Sequence, residues 1–306
     1  MPLSFKKCLP PAYRAARQNS ITAKQRAKKQ NPCYSCRKER PETMPRSVKQ
    51  ISSAANPAIK ALKALALKKH RDESGLFIVE GLRHIAEALA AGWTAQSLCF
   101  TPDARRAAEA LSVDADTERL EMPEDLLRRI TGRDNTQDVI AAFGMRIYSM
   151  DEMTGGGDAL WTALEDIRDP GNLGTILRTS DAVGAAGIVL IGQTCDPFAP
   201  ETIRATVGAF ARQKIIRASR AEAVAALKNW HGRAVGTHLR TDTDYRAGDY
   251  RLPLLLVMGS EQNGLSDELA AACTQLVKIP MPGGTESLNL AVSTGIMLYE
   301  ICRNRL

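Results

Sequence analysis

From Ala159 onward the chain alternates short apolar runs with segments of helical period. The runs predict strands at 159–164, 187–191, 214–217, 233–237, 254–258 and 276–279. The segments predict helices at 173–183, 201–209, 221–229, 265–272 and 287–302. Strands divided by helices are joined by crossovers, not hairpins, so the expected architecture is α/β with a parallel sheet. The last helix is apolar almost all round, through Leu288, Leu290, Ala291, Val292, Ile296, Met297, Leu298 and Ile301. Such a helix must be covered on more than one face, and a homodimer interface would do that.

Upstream, a second set of signals predicts a smaller α/β unit. Asn56-Pro57 opens a helix to about His70; a strand over 76–80 ends at Gly81; a helix over 82–91 stops at Gly92. A strand near 96–100, a helix over 103–111, a Pro123-started helix to Ile130 and a strand over 138–143 follow. The chain then divides into a basic extension (1–45), an N-terminal domain (46–145), a linker (146–158) and a C-terminal domain (159–306). Gly155-Gly156-Gly157 belongs to the linker, because no Lys-Ser/Thr follows it as a phosphate loop would require. His70 and His84 stand alone and read as helix-surface residues.

Composition narrows the class. Apolar residues make up 44% and charged residues 25% of the 306, as in globular proteins. The apolar run from Leu252 to Met258 is broken by Pro253 and is too short to cross a bilayer. The net charge is +7, but residues 1–40 carry eleven Lys/Arg against Glu39; taking that +10 away leaves −3 for the rest. Any nucleic-acid surface must therefore be a local patch. The basic segment reads as disordered. Met44 is a candidate alternative start after it; an organelle transit peptide and an RNA-binding tail are the rival readings. Seven scattered cysteines without a secretory apolar segment point to a reducing, cytoplasmic setting. Cys33-Tyr-Ser-Cys36 has ligand spacing but lacks the further ligands that zinc needs, so no metal is expected.

Three segments carry chemistry. Asp166-Ile-Arg-Asp-Pro-Gly-Asn-Leu-Gly-Thr-Ile-Leu-Arg178 places a turn and a cap residue, Asn172, before a helix. At about 100° per residue, Leu173, Ile176, Leu177, Ser180 and Gly184 share one face, and Arg178 is exposed nearly opposite. In an open parallel sheet that is the ligand edge. Leu254-Leu-Leu-Val-Met-Gly-Ser-Glu-Gln-Asn-Gly-Leu-Ser266 runs a buried strand into a loop bearing Glu261. There Gly259, lacking Cβ, would let a flat adenine or ribose approach the backbone. Val277-Lys-Ile-Pro-Met-Pro-Gly-Gly-Thr-Glu-Ser-Leu-Asn289 leads through a Pro/Gly loop to the last helix, with Ser287 as its N-cap and Asn289 in its first turn. Read singly, each is also a plain turn or cap.

Together the three resemble the SpoU (TrmH) family within the knotted SPOUT methyltransferases, over residues 159–306. Arg204-Ala-Thr-Val-Gly-Ala209 is similar to a further family segment, with Thr206 where Ser is usual; Ser260 stands where many members have Asn. Asn56-Pro-Ala-Ile-Lys60 and Phe77-Ile-Val-Glu-Gly81 resemble the ribosomal-protein-like substrate-binding domain that often precedes the catalytic one. The resemblance implies a trefoil-knotted parallel sheet, a homodimer with sites near the interface, and S-adenosyl-L-methionine as methyl donor. It assigns Gly259, Ile279, Leu288 and Thr237 to that cofactor. It assigns Asn172, Arg178, Glu261, Ser287 and Asn289 to catalysis on a ribose 2′-hydroxyl in RNA, rRNA ahead of tRNA. A guanidinium stays protonated, so Arg178 would grip a phosphate and ease deprotonation electrostatically, not act as a base. A non-catalytic RNA-binding or ribosome-assembly protein and a base methylase are the alternatives.

Overall fold

The computed structural model describes residues 47–154 and 156–305. The readings of the basic extension, of Met44 and of Cys33/Cys36 lie outside them.

The first half builds a mixed five-stranded sheet. Its elements are β1 (Lys49–Gln50), α1 (Pro57–Ala64), α2 (Lys68–Ser74), β2 (Leu76–Glu80), α3 (Leu82–Ala90), β3 (Ala95–Phe100), α4 (Arg105–Glu109), β4 (Glu118–Glu121), α5 (Glu124–Thr131) and β5 (Val139–Gly144). The strand order is β1-β4-β3-β5-β2, with β5 antiparallel to both neighbours. Asn56 caps α1 by accepting from Ala58 N, as the Asn-Pro signal predicts. The single helix expected over 57–70 is two helices, broken at 65–67. The guanidinium of Arg71 donates to the carbonyls of Leu65 and Ala66 at that break. Strands β1 and β4 were not expected: Glu118-Arg-Leu-Glu121 has no apolar run to announce it.

The second half builds a six-stranded, wholly parallel sheet from β6 (Leu160–Glu165), α6 (Pro170–Ala182), β7 (Gly187–Ile191), α7 (Pro200–Thr206), β8 (Lys214–Ala218), α8 (Arg220–Lys228), β9 (Arg233–Thr237), β10 (Leu254–Met258), α9 (Asp267–Ala272), β11 (Gln275–Val277) and α10 (Leu290–Ile301). Its order is β11-β9-β10-β6-β7-β8. Every residue of β6, β7 and β10 is buried, so apart from Thr162 and Glu165 in β6 these strands read as apolar runs and not as alternations. The segment after β9 closes around the segment after β11. His238 N donates to Val277 O, Lys278 N to Thr243 O and Tyr245 N to Lys278 O, at 2.9 Å each. Residues 277–278 are thus held from both sides before the chain leaves for α10.

One face of this sheet packs Trp161, Val189, Ile216 and Leu255 against α8 and α9. The other packs Leu164, Ile188, Leu190 and Leu256 against α6 and α10, and this core continues into the first sheet through Phe77, Trp93, Phe143, Phe198 and Phe210. Phe77 meets Phe198 at a 45° tilt with ring centroids 4.8 Å apart and meets Phe210 edge-on at 5.6 Å. Residues 146–153 run beside β8, where Tyr148 N donates to Ile215 O at 2.9 Å.

Candidate active site

The loops that leave β9, β10 and β11 at the carboxyl edge of the parallel sheet enclose a cavity of about 450 Å³. Of the residues singled out in the sequence, Thr237, Gly259, Glu261, Ile279, Ser287 and Leu288 line it. Met258 and Leu265 add apolar wall.

Residues 259–265 form a tight hairpin along one side. Ser260 N and Gly264 N each donate to the other's carbonyl at 3.0 Å, and Ser260 Oγ accepts from Asn263 N at 3.1 Å. Gly264 takes φ +67°, which glycine adopts without strain. A Cβ on Gly259 would lie 2.0 Å from Gly264 C and from Leu265 N. The glycine is therefore required by the loop's own return, a different reason from the ligand approach that the sequence suggested.

The three segments meet at the cavity's edge. Asn289 Nδ2 donates to Asn172 Oδ1 at 2.9 Å, and Asn172 Nδ2 donates to Glu261 Oε1 at 3.0 Å. Residues 89 and 117 positions apart in sequence thus share one hydrogen-bonded chain. Two capping assignments are corrected. The cap of α6 is Asp169, whose carboxylate accepts from Asn172 N at 2.6 Å, leaving the Asn172 side chain for Glu261 and Asn289. The cap of α10 is Asn289, whose Oδ1 accepts from Ala291 N and Val292 N. Ser287 lies before the helix, on the cavity wall. Gly184 is likewise off the buried face of α6: it follows the helix, exposed, at φ +75°.

Arg178 sits two turns along α6 from Asn172, exposed and outside the cavity lining. Its guanidinium has no ion pair or hydrogen bond among the described residues. Beside Asp169 and Glu261, the thiol of Cys195 is pushed up to about 12, first by burial and then by the Asp169 carboxylate. It is no thiolate nucleophile near neutral pH.

Several lining residues escaped the sequence reading: His238, Leu239, Arg240, Met281, Glu286 and Ser293. Five lie in loops without periodicity. Ser293 lies in the first turn of α10, one turn after a cap that stands two residues beyond the expected Ser287.

The family models divide the chain as the sheets do. Residues 159–299 match the SpoU rRNA methylase family and residues 56–141 an MRM3-like substrate-binding domain. A 23S rRNA (uridine(2479)-2′-O)-methyltransferase of Streptomyces viridochromogenes is 30% identical in an alignment that covers 79% of this chain and 88% of that protein. The chain belongs to the SpoU rRNA methylase family. A Bacillus subtilis member, a 23S rRNA (guanosine(2553)-2′-O)-methyltransferase, is 27% identical over 83% of this chain and 99% of its own length. Among solved SpoU-like structures, an AdoMet-bound rRNA methyltransferase from Sinorhizobium meliloti superposes with a TM-score of 0.81 at 42% identity. That match covers 85% of this chain and 99% of that one.

Proposed function

We propose that this protein transfers a methyl group from S-adenosylmethionine to a ribose 2′-hydroxyl of ribosomal RNA. The observation that carries the reading is the Asn289–Asn172–Glu261 chain. It draws the start of α6, the hairpin after β10 and the cap of α10 to the rim of one cavity, and Arg178, without an ion pair or hydrogen bond among the described residues, stands on the helix that supplies its middle member.

The cavity suits the cofactor in volume and in chemistry. Met258, Leu265, Ile279 and Leu288 offer apolar wall for an adenine, and Glu261 and Glu286 bring negative charge to a cationic sulfonium. Thr237, Gly259, Ile279 and Leu288 would hold it. When bound, S-adenosylmethionine supplies an electrophilic methyl. The protein's own task is to present the hydroxyl in line and to ease its proton away. Arg178, permanently charged and without an ion pair or hydrogen bond among the described residues, would grip the target phosphate bidentately and stabilise the developing oxyanion. Asn172 holds Glu261 on one side and Asn289 on the other, so that the rim keeps one geometry; Ser287 adds a hydroxyl to the same wall.

The reading extends to the whole molecule. The clasp around residues 277–278 supports a trefoil knot. On α10, Val292 and Tyr299 stand 52% and 53% exposed, and Leu288 at the cavity wall 38%, which supports a homodimer burying that face next to the site. The 46–145 domain would bind the RNA, the linker 146–158 would join it to the 159–306 methyltransferase domain, and the enzyme would work in the cytoplasm. The test is incubation with methyl-labelled S-adenosylmethionine and rRNA or tRNA, followed by alkaline hydrolysis. Label in alkali-resistant dinucleotides of rRNA is expected. Label in single nucleotides would indicate base methylation, and no label a binding protein; either would overturn the reading. Light scattering of the wild type and of Val292→Glu checks the dimer, the variant being expected as a monomer.

A further inference from the structure

Glu165 belongs to none of the residues assigned above, yet it lies at the junction that sets the cavity. It ends the central strand β6 and is 2% exposed. Met258 pairs with Leu164, so Glu165 stands one position further on, level with Gly259 where the hairpin begins. A buried carboxylate is costly unless its oxygens are hydrogen-bonded. Here both are. Oε2 accepts from Ser266 N at 2.8 Å, and Oε1 accepts from Arg220 Nε at 2.7 Å. Arg220 also reaches Asp166 at 3.2 Å and Glu268 at 3.6 Å, which fixes the orientation of the carboxylate it holds.

Ser266 is the first residue after the hairpin. Because Ser260, Asn263 and Gly264 bond to one another, residues 259–265 move as one body. The position of such a body is set by its two ends. One continues from β10; the other is the Ser266 N–H held by Glu165. All seven residues of the hairpin line the cavity, and Glu261 on it holds Asn172. A neutral acceptor could satisfy the same N–H, but a carboxylate makes the bond charge-assisted and stiffer.

We propose that Glu165 is a positioning residue for the cofactor: through Ser266 N it fixes the hairpin wall against which S-adenosylmethionine binds. The proposal rests on the methyltransferase reading above. It is tested by calorimetric titration of the purified full-length protein with S-adenosylmethionine in the absence of RNA, alongside RNA binding measured on filters. Glu165→Gln keeps an acceptor for Ser266 N but turns an amide donor against Arg220 Nε. Ser266→Pro deletes the N–H together with a side-chain hydroxyl that makes no hydrogen bond among the described residues, at a position whose φ of −62° proline adopts. Both variants are expected to bind S-adenosylmethionine roughly tenfold more weakly, with RNA affinity retained. Unchanged cofactor affinity in either folded variant overturns the proposal, as does a parallel loss of RNA affinity, which would make Glu165 a fold residue only. Should Glu165→Gln fail to fold, Ser266→Pro decides. If the wild type itself takes up no S-adenosylmethionine, the functional reading fails instead.

Discussion

Asn289 makes two kinds of bond with one side chain. Its Oδ1 caps α10, while its Nδ2 donates to Asn172. The two roles separate by substitution, because Asp caps as well as Asn but cannot donate. Asn289→Asp should melt within a degree or two of wild type, about 0.5 kcal/mol at most, yet lose methyl transfer at least tenfold. Asn289→Ala should lose both, at about 1 kcal/mol for the cap. A fully active Asn289→Asp would show the Asn172 link to be idle. Arg178→Lys keeps the charge but loses the planar fork, so kcat/KM should fall about a hundredfold with cofactor affinity unchanged. Labelled transfer and calorimetry read the two quantities, and near-normal turnover would refute the phosphate grip. Cys195 gives a pH-dependent case. With its thiol raised to about 12, it should resist iodoacetamide at pH 8, where an ordinary cysteine reacts, and gain reactivity only as pH approaches 12. Mass spectrometry of the Cys195 peptide checks this.

Helices α6 and α7 cross at Gly174, where a Cβ would meet Ala205 Cβ at 2.4 Å and Thr202 O at 2.6 Å. Gly174→Ala should therefore cost about 1–3 kcal/mol by overpacking, despite alanine's better helix propensity. A thermal melt no lower than wild type would show that the crossing can yield. At this scale the sequence was most legible where one property repeats: the apolar runs of β6, β7 and β10 announced a parallel sheet, and the turn residues before α6 and α10 announced helix starts. It was less legible where two residues could do the same job. Asp169 and Asn172 are both good caps three positions apart, as Ser287 and Asn289 are two apart, and only the folded chain shows which side-chain oxygen accepts from the helix's first amides. Strand β4 was missed because its pairing with β3 and β1, not its own polar side chains, makes Glu118–Glu121 a strand. The cavity-lining loop at 238–240 has no period at all.

Arg71 and Asp196 show what holds the two sheets as one molecule. They lie 125 positions apart, both nearly fully buried, and no local pattern could have paired them. Arg71 donates twice to Asp196 Oδ2, at 3.0 and 2.7 Å, and twice to the carbonyls at the α1–α2 break. The other carboxylate oxygen of Asp196 accepts from Phe198 N and from Arg217. The pair thus ties the break in the first half to the loop after β7, beside the aromatic cluster where Trp93 Nε1 donates to Ala211 O at 3.0 Å. Forming a buried ion pair gains little over a well-packed apolar pair, but removing one partner strands the other charge. Arg71→Met should accordingly destabilise by about 3 kcal/mol, because Arg217 and Phe198 N compensate the Asp196 charge only in part, and adding Asp196→Asn should restore some of that loss by removing the charge. Urea unfolding followed by tryptophan fluorescence and by far-ultraviolet dichroism reads both the size and the cooperativity of the change. Because one apolar core spans both sheets, the two signals should coincide in the wild type. If they part in Arg71→Met, the pair is what joins the halves into one cooperative unit. A shift below about 1 kcal/mol would mean that the aromatic cluster alone suffices.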